Sequence, residues 1–240
     1  LTLAHFPSRQ EMDSLQLGRV GDSPIMARHV RKVDGDQDDF QVGPITIDVV
    51  EPLKKIRLVA APSAQTPVSF DLTFTARTAP YQLRRGTMKA KYEIIWDQSH
   101  MFQSGIYNGS YTFQDKTFQI NNWWGQRDHS WGVRAHARCP LWMWMPIQLD
   151  EGMLSVWHWE YPNGARVYTD GCFAPSNGSE PIPVIDFQHD LHWLNSSGQP
   201  VSYEKFGDDV VGLAGTVVFT LQGGRKISVE ATGRWAQRYS

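Results

Sequence analysis

The chain has 240 residues, 41% hydrophobic and 12% aromatic, and sets 23 Lys and Arg against 25 Asp and Glu for a formal net charge of −2. That length and apolar fraction supply one large core or two modest ones and exclude a disordered chain. The basic residues are scattered, which leaves no electrostatic footprint for nucleic acid or an anionic membrane.

The opening residues LTLAHFPSRQEMD lack a basic leader followed by an apolar core, so no signal peptide is expected in them. Leucine at position 1 leaves a processed or truncated N-terminus open. Asp34, Asp36 and Asp38 alternate as in a calcium loop, but Asp39 stands where the turn glycine belongs and Ile45 where the bidentate glutamate belongs. A solvated loop is the better reading.

Val68, Phe70, Leu72, Phe74 and Ala76 alternate with Ser69, Asp71, Thr73 and Thr75, the period-two signature of a strand with one face in a core. Met88, Ala90, Tyr92, Ile94 and Trp96 alternate in the same way with Lys89, Lys91 and Glu93, and predict a second strand. Gln103, Ser104 and Tyr107 precede a turn expected at Asn108-Gly109. Further turns are expected at Asn163-Gly164, Asn177-Gly178, Ser197-Gly198 and Gly223-Gly224. Asn108, Asn177 and Asn195 also begin N-x-Ser sequons, which matter only in a secreted eukaryotic protein. Many short strands joined by hairpins mean a sandwich or barrel, with the seam between two β units placed near Asp115 to Asn122.

Seven of the ten tryptophans fall between Trp123 and Trp159, threaded around the run GQRDHSWGVR at Gly125–Arg134. Indoles beside a carboxylate, an imidazole and guanidiniums describe an apolar pocket with a few polar groups in its wall, the usual composition of a small-molecule site. In an extended run Arg127, His129, Trp131 and Val133 point one way and Asp128, Ser130, Gly132 and Arg134 the other. A purely structural alternative is that the Asp-Arg pairs and tryptophans hold sheets together. Leu141–Leu149 is the longest apolar stretch; it is strand-sized, well short of the about 20 residues that span a bilayer.

Met153–Tyr161 and Ala165–Phe173 flank Asn163-Gly164, the preferred centre of a two-residue type I′ turn. Counting outward, Tyr161 faces Arg166, Glu160 faces Val167, Trp159 faces Tyr168, His158 faces Thr169 and Trp157 faces Asp170. Trp157, Trp159, Tyr161, Arg166, Tyr168 and Asp170 then share one side, and Val156, His158, Glu160, Val167 and Thr169 the other. If Asp170 lies among those rings, desolvation raises its pKa and fits it to act as a general acid; exposure, or pairing with Arg166, is the competing reading. His158 and Glu160 are readable as a base and its partner or as packing between sheets.

Metals are set aside. Cys139 and Cys172 are too few and too far apart for a disulfide framework or CxxC site and are expected to be buried thiols. His129, His136 and Cys139 lack compact ligand spacing. Asp186, His189, Asp190 and His192 have the composition of ligands, but they alternate with Phe187, Leu191 and Trp193 like the outward face of a strand. The last strand signal is Ile227, Val229 and Ala231 alternating with Ser228, Glu230 and Thr232.

The run GQRDHSWGVR followed by LWMWMPIQLDEG resembles the start of the C-terminal half in the superfamily of carotenoid hydratases (hydroxyneurosporene synthases) and AttH-like proteins. Asp128, His129 and Trp131 match its Asp-His-x-Trp signature. Trp142, Trp144, Leu149, Asp150 and Gly152 match its Trp-rich strand and Leu-Asp-Asp-Gly turn, with Glu151 in place of the second Asp. The full RDHSWG form is similar to an uncharacterised bacterial branch. The resemblance implies an all-β chain with two lipocalin-like β-barrel or β-sandwich domains, residues 1–120 and 121–240, incomplete at both termini because members are generally longer.

Chemically, the resemblance implies a cofactor-independent hydratase, dehydratase or isomerase of a lipophilic, isoprenoid- or polyketide-like substrate. A protonated Asp gives its proton to an alkene, aromatic rings stabilise the cation by up to about 2 kcal/mol each when desolvated, and a positioned water adds. Asp128 and His129 are the expected acid/base pair, Asp170 the competing acid, and Tyr168 stands beside it. Arg127, Trp131, Arg134, Trp142, Trp144, Asp150, Trp157 and Trp159 are the expected substrate contacts. No metal, cofactor or nucleic-acid partner is expected, and the expected location is cytoplasmic or peripheral to a membrane. The alternatives are a non-catalytic carrier of an apolar molecule and an aromatic sugar-binding sandwich.

Overall fold

The computed structural model describes residues 1–34, 39–135, 141–161, 163–201 and 210–233. Its strands are β1 (Thr2–Phe6), β2 (Glu11–Val20), β3 (Ser23–Lys32), β4 (Gln41–Val42), β5 (Ile45–Glu51), β6 (Lys55–Ala60), β7 (Val68–Ala76), β8 (Tyr81–Gln82), β9 (Gly86–Ala90) and β10 (Glu93–Phe113). There follow β11 (Lys116–Arg134), β12 (Leu141–Leu149), β13 (Gly152–Glu160), β14 (Arg166–Pro175), β15 (Ile182–His189), β16 (His192–Asn195), β17 (Pro200–Val201), β18 (Val210–Leu221) and β19 (Lys226–Gly233). The described residues hold one 3-10 turn, Pro7–Arg9, and no helix long and apolar enough to cross a membrane.

Two compact units emerge, Leu1–Arg77 with Ser104–Gln126, and Thr78–Gln103 with Arg127–Ser240. The division runs through the two longest strands, β10 and β11, each of which contributes to both units. In the first unit β1-β2-β3 form a three-stranded antiparallel sheet, and β4 to β7 continue onto the later part of β10 and the earlier part of β11. In the second unit the order is β12-β13-β14-β15-β18-β16-β17, with β19 on β18; β8 and β9 pair with the early part of β10.

The period-two signal at residues 68–76 becomes β7 over the expected span, with Phe74 buried. The signal at 88–96 behaves differently. Lys91 takes a left-handed φ of 54° and splits it into β9 and β10, which pair with each other, and Tyr92 stands fully exposed at the turn. Alternation persists across such a tight turn, so the sequence pattern alone does not reveal the break. Asn108-Gly109 lies inside β10 opposite Thr73 and Leu72 and makes no turn. Asn163-Gly164, Asn177-Gly178, Ser197-Gly198 and Gly223-Gly224 do lie at turns.

The β13–β14 hairpin keeps most of the expected register by two offsetting departures. Tyr161 N–H bonds to the Ala165 carbonyl and Gly164 N–H to the Tyr161 carbonyl, with Gly164 at φ +77°, so the loop has three residues instead of two. A bulge between Trp159 and Glu160 then absorbs the extra residue: Glu160 faces Arg166, while Trp159, His158 and Trp157 face Tyr168, Thr169 and Asp170. Arg166 thereby leaves the tryptophan face and reaches Asp186 and the Phe187 carbonyl.

β13 is buried along its whole length, because both its faces are covered. On one face Trp157 and Trp159 join Leu83, Met88, Trp96, Phe102 and Cys172; on the other Leu154 and Val156 join Phe173, Phe187, Val217 and Phe219. Burying each such large side chain contributes about 1.5–3 kcal/mol. Trp96 and Trp159 meet edge to face at 5.1 Å and 69°, a geometry that adds about 0.5–1.5 kcal/mol.

Candidate functional site

The second unit gathers the motif residues around its aromatic face. In the β12–β13 ladder Trp142 faces Trp159 and Trp144 faces Trp157, so all four indoles lie on one side of the sheet. Trp142 stacks on Trp157 at 5.1 Å with their planes 3° apart. Trp142 is exposed, Trp144 half-buried, Trp157 and Trp159 buried. Among the described residues the Nε1 atoms of Trp144, Trp157 and Trp159 are buried with no acceptor.

Into this cluster β10 delivers His100. Its ring packs 4.4 Å from Trp157, 5.0 Å from Phe102 and 6.4 Å from Trp144, and its side chain is 4% exposed. His100 Nε2 lies 2.7 Å from Asp128 Oδ2, while the Gln98 amide sits 3.5 Å from Nδ1. With its ring proton on Nε2, His100 donates to the Asp128 carboxylate. The Asp128 side chain is 37% exposed, so this pair joins a buried imidazole to a carboxylate that meets solvent.

Asp128 is thus partnered by His100 from the neighbouring strand. His129, on the alternate side of the run, meets Trp131 edge to face at 5.4 Å. Although His129 is exposed at the surface, partial desolvation and the Arg127 guanidinium hold its pKa below the ordinary histidine value, with the Asp128 charge opposing. Partial desolvation likewise lowers Arg134, also exposed at the surface, again opposed by Asp128. Gly132, at φ +133°, lets the backbone pass close to β10: a Cβ there would fall 2.0 Å from the Asp97 carbonyl oxygen. Asp150 is exposed in the turn between β12 and β13, where its backbone carbonyl accepts from the Ser176 hydroxyl.

Asp170 does lie among the rings, 2% exposed, and both of its oxygens accept. Oδ1 takes the Tyr81 hydroxyl at 3.0 Å and the Gly171 N–H at 2.9 Å; Oδ2 takes the Arg84 N–H at 2.6 Å, with Arg84 Nε at 3.4 Å. Its cation is Arg84, not Arg166. The Tyr168 hydroxyl donates to the Arg84 carbonyl at 2.6 Å. Burial, reinforced by the Asp170 charge, pushes Tyr81, Tyr168 and the Cys172 thiol well above their ordinary pKa values. Cys172 is therefore an inert buried thiol; Cys139 and His136 fall outside the described residues, as do Asp36 and Asp38. Arg84, Arg85, Val167, Tyr168 and Thr169 line an open depression of about 330 Å³ beside this network.

On the opposite face of β13, His158 and Glu160 meet His189 of β15. Glu160 Oε2 lies 3.1 Å from His158 Nε2 and 3.0 Å from His189 Nε2, and His158 Nδ1 is 2.6 Å from Thr169 Oγ1. His189 thus turns inward to Glu160, with a side chain 14% exposed, instead of lying on an outward face. Burial lowers the His158 pKa despite the Glu160 contact.

The first unit has a separate aromatic feature. Leu58, Phe70, Leu72, Tyr107, Ile120, Trp123 and Trp124, with Leu1, line an apolar cavity of about 270 Å³. Gln103 and Ser104, expected near a loop, are buried strand residues: Ser104 of this unit donates to the Gly125 carbonyl, and Gln103 of the second unit to that of Thr78. Tyr107 donates to the Gln126 carbonyl.

A family model described as a family of unknown function (DUF8625) matches residues 2–205, and the chain belongs to that family. Among curated proteins none matches it. Its fold is similar to a crystal structure described as that of a candidate AttH from Nitrosomonas europaea, with a TM-score of 0.51, 11% sequence identity, and coverage of 94% of this chain and 87% of the other. Identity that low carries the fold alone: an all-β, AttH-like architecture with lipocalin-like domains.

Proposed function

We propose that this member of the DUF8625 family is a cofactor-independent hydratase or dehydratase of a lipophilic small molecule, with Asp128 as the acid and His100 as its proton partner. The observation that carries the reading is the 2.7 Å contact between Asp128 Oδ2 and an imidazole packed among Phe102, Trp144 and Trp157. Protonated Asp128 gives its proton to an alkene carbon; the carboxylate left behind accepts the His100 Nε2–H, which stabilises it as charge develops. The faces of Trp142, Trp144 and Trp157 stabilise the carbocation. Water then adds to the cation and passes its surplus proton to the Asp128 carboxylate, which restores the acid, and in reverse the same steps eliminate water. Asp170, accepting on both oxygens, serves to hold the Tyr81–Arg84 segment.

Native mass spectrometry of purified protein, followed by extraction of the co-purified apolar molecule, tests this. Incubated with that molecule, the unmodified protein should yield a form differing by one water, and Asp128→Asn should not. Full turnover by Asp128→Asn would remove the proposal.

One observation favours a carrier instead: the cavity at Trp123 and Trp124 is lined by apolar and aromatic residues and no carboxylate or imidazole. Ligand held unchanged by both proteins, and released on narrowing that cavity with Leu72→Trp, would select the carrier.

A further inference from the structure

We propose that His158, Glu160 and His189 bind a divalent transition-metal ion of the zinc type, on the face of β13 opposite the tryptophans. The three side chains come from β13 and β15, and their candidate ligand atoms all lie within 4.8 Å of one another. Two imidazoles and a carboxylate are a donor set that zinc takes, at about 2.0–2.2 Å per bond, which spaces the ligand atoms of a tetrahedral site about 3.3 Å apart. The two separations involving Glu160 Oε2, 3.1 and 3.0 Å, are already close to that edge length.

The surroundings fit the same purpose. Thr169 Oγ1, 2.6 Å from His158 Nδ1, can accept that nitrogen's proton, which turns the Nε2 lone pair toward Glu160 and orients the ring as outer partners of metal-bound histidines do. Arg166 is engaged by Asp186 and the Phe187 carbonyl and does not neutralise Glu160. Ring packing of Phe187 at 5.0 Å from His158 and 5.7 Å from His189 limits the motion of both imidazoles. Leu191 N–H approaches His189 Nδ1 at 3.2 Å, so a metal at His189 Nε2 shifts that ring's proton to Nδ1 and gives up this contact. Three protein donors leave a fourth position for water or a ligand atom. This proposal is independent of the Asp128 chemistry, which lies on the other face of the strand.

The alternative is a network in which both Nε2–H groups simply donate to Glu160. Glu160→Gln separates the two, because an amide oxygen still accepts from both histidines but is a poor ligand. The experiment is titration of the chelator-stripped full chain with Zn²⁺ and, separately, Co²⁺, read by native mass spectrometry and by the visible bands of four- or five-coordinate cobalt, with circular dichroism confirming the fold. One ion per chain is expected. Thr169→Val should weaken binding by about 10–100-fold, and Glu160→Gln and His189→Gln by more than that about 100-fold outer-partner limit. If a ligand variant fails to fold, Thr169→Val still tests the site. A folded wild-type chain that takes up no ion, or one whose affinity is the same in every folded variant, overturns the proposal.

Discussion

Replacing Asp170 distinguishes an anchoring carboxylate from a proton donor. In Asp170→Ala the Gly171 N–H loses its acceptor in a buried setting, and the part-buried Tyr81 hydroxyl and Arg84 N–H lose theirs. A buried donor left unsatisfied costs about 1–3 kcal/mol, so the Gly171 N–H alone gives about 1–3 kcal/mol and the two part-buried donors each add less than that. The Arg84 side chain is 74% exposed, so its charge returns to water and adds little. Asp170→Asn keeps one oxygen. Its carbonyl can serve Tyr81 and Gly171, but the amide nitrogen then confronts the Arg84 N–H, for a cost of about 1–3 kcal/mol.

Urea unfolding followed by tryptophan fluorescence measures both variants, with the denaturant slope compared with wild type because the chain has two units and need not unfold in one step. The expected order of stability is wild type, Asp170→Asn, Asp170→Ala. A loss below about 1 kcal/mol in the alanine variant, less than a single unsatisfied donor, would refute the anchoring argument. So would an asparagine variant as damaging as alanine, since that would mean charge and not acceptor geometry matters.

Two further outcomes follow from the motif segment. Gly132→Ala combines a φ of +133° with a Cβ 2.0 Å from the Asp97 carbonyl, and should cost at least about 2 kcal/mol in thermal or urea unfolding, from strain and overpacking together. His129 has a depressed pKa in the folded chain, so the unfolded chain binds its proton at higher pH. Its contribution to stability is complete above the ordinary histidine value of about 6.5 and is lost as pH falls through the lower folded value. The His129→Gln variant should therefore lose less stability than wild type between neutral pH and pH 5, with similar melting temperatures at pH 8.

The β architecture was legible where a strand obeys one local rule. The apolar run at 141–149 becomes β12 at those bounds, and the pairing of Trp157 with Asp170 and Trp159 with Tyr168 follows from counting out from Asn163-Gly164. That count succeeded although its turn type did not hold, because the longer loop and the bulge each move the register by one residue in opposite senses. Arg166, lying between the two departures, is where the count failed; nothing in its own sequence neighbourhood signals the bulge.

The chemistry of the site was less legible, for a reason that differs in kind. Asp128 stood out through its motif, but His100 sits 28 residues away in a run, Gln98 to Gln103, with no spacing that marks a partner. Strand pairing between β10 and β11 creates the contact. His189 and Glu160, 29 residues apart, meet across the intervening strand β14. Alternation told which residues share a face of one strand, and it correctly put His158 and Glu160 on one side of β13. It could not tell whether that side is covered, and here both sides are: β13 has tryptophans packed on one face and a His-Glu-His group with Phe187 on the other. A strand buried on both faces removes the distinction between core side and solvent side on which reading polar residues as solvated depends. Polar residues on such a strand must find partners inside the protein, and His158 and Glu160, readable from the sequence as a base and its partner or as packing, are placed by that requirement at the most concentrated group of metal-ligating atoms among the described residues.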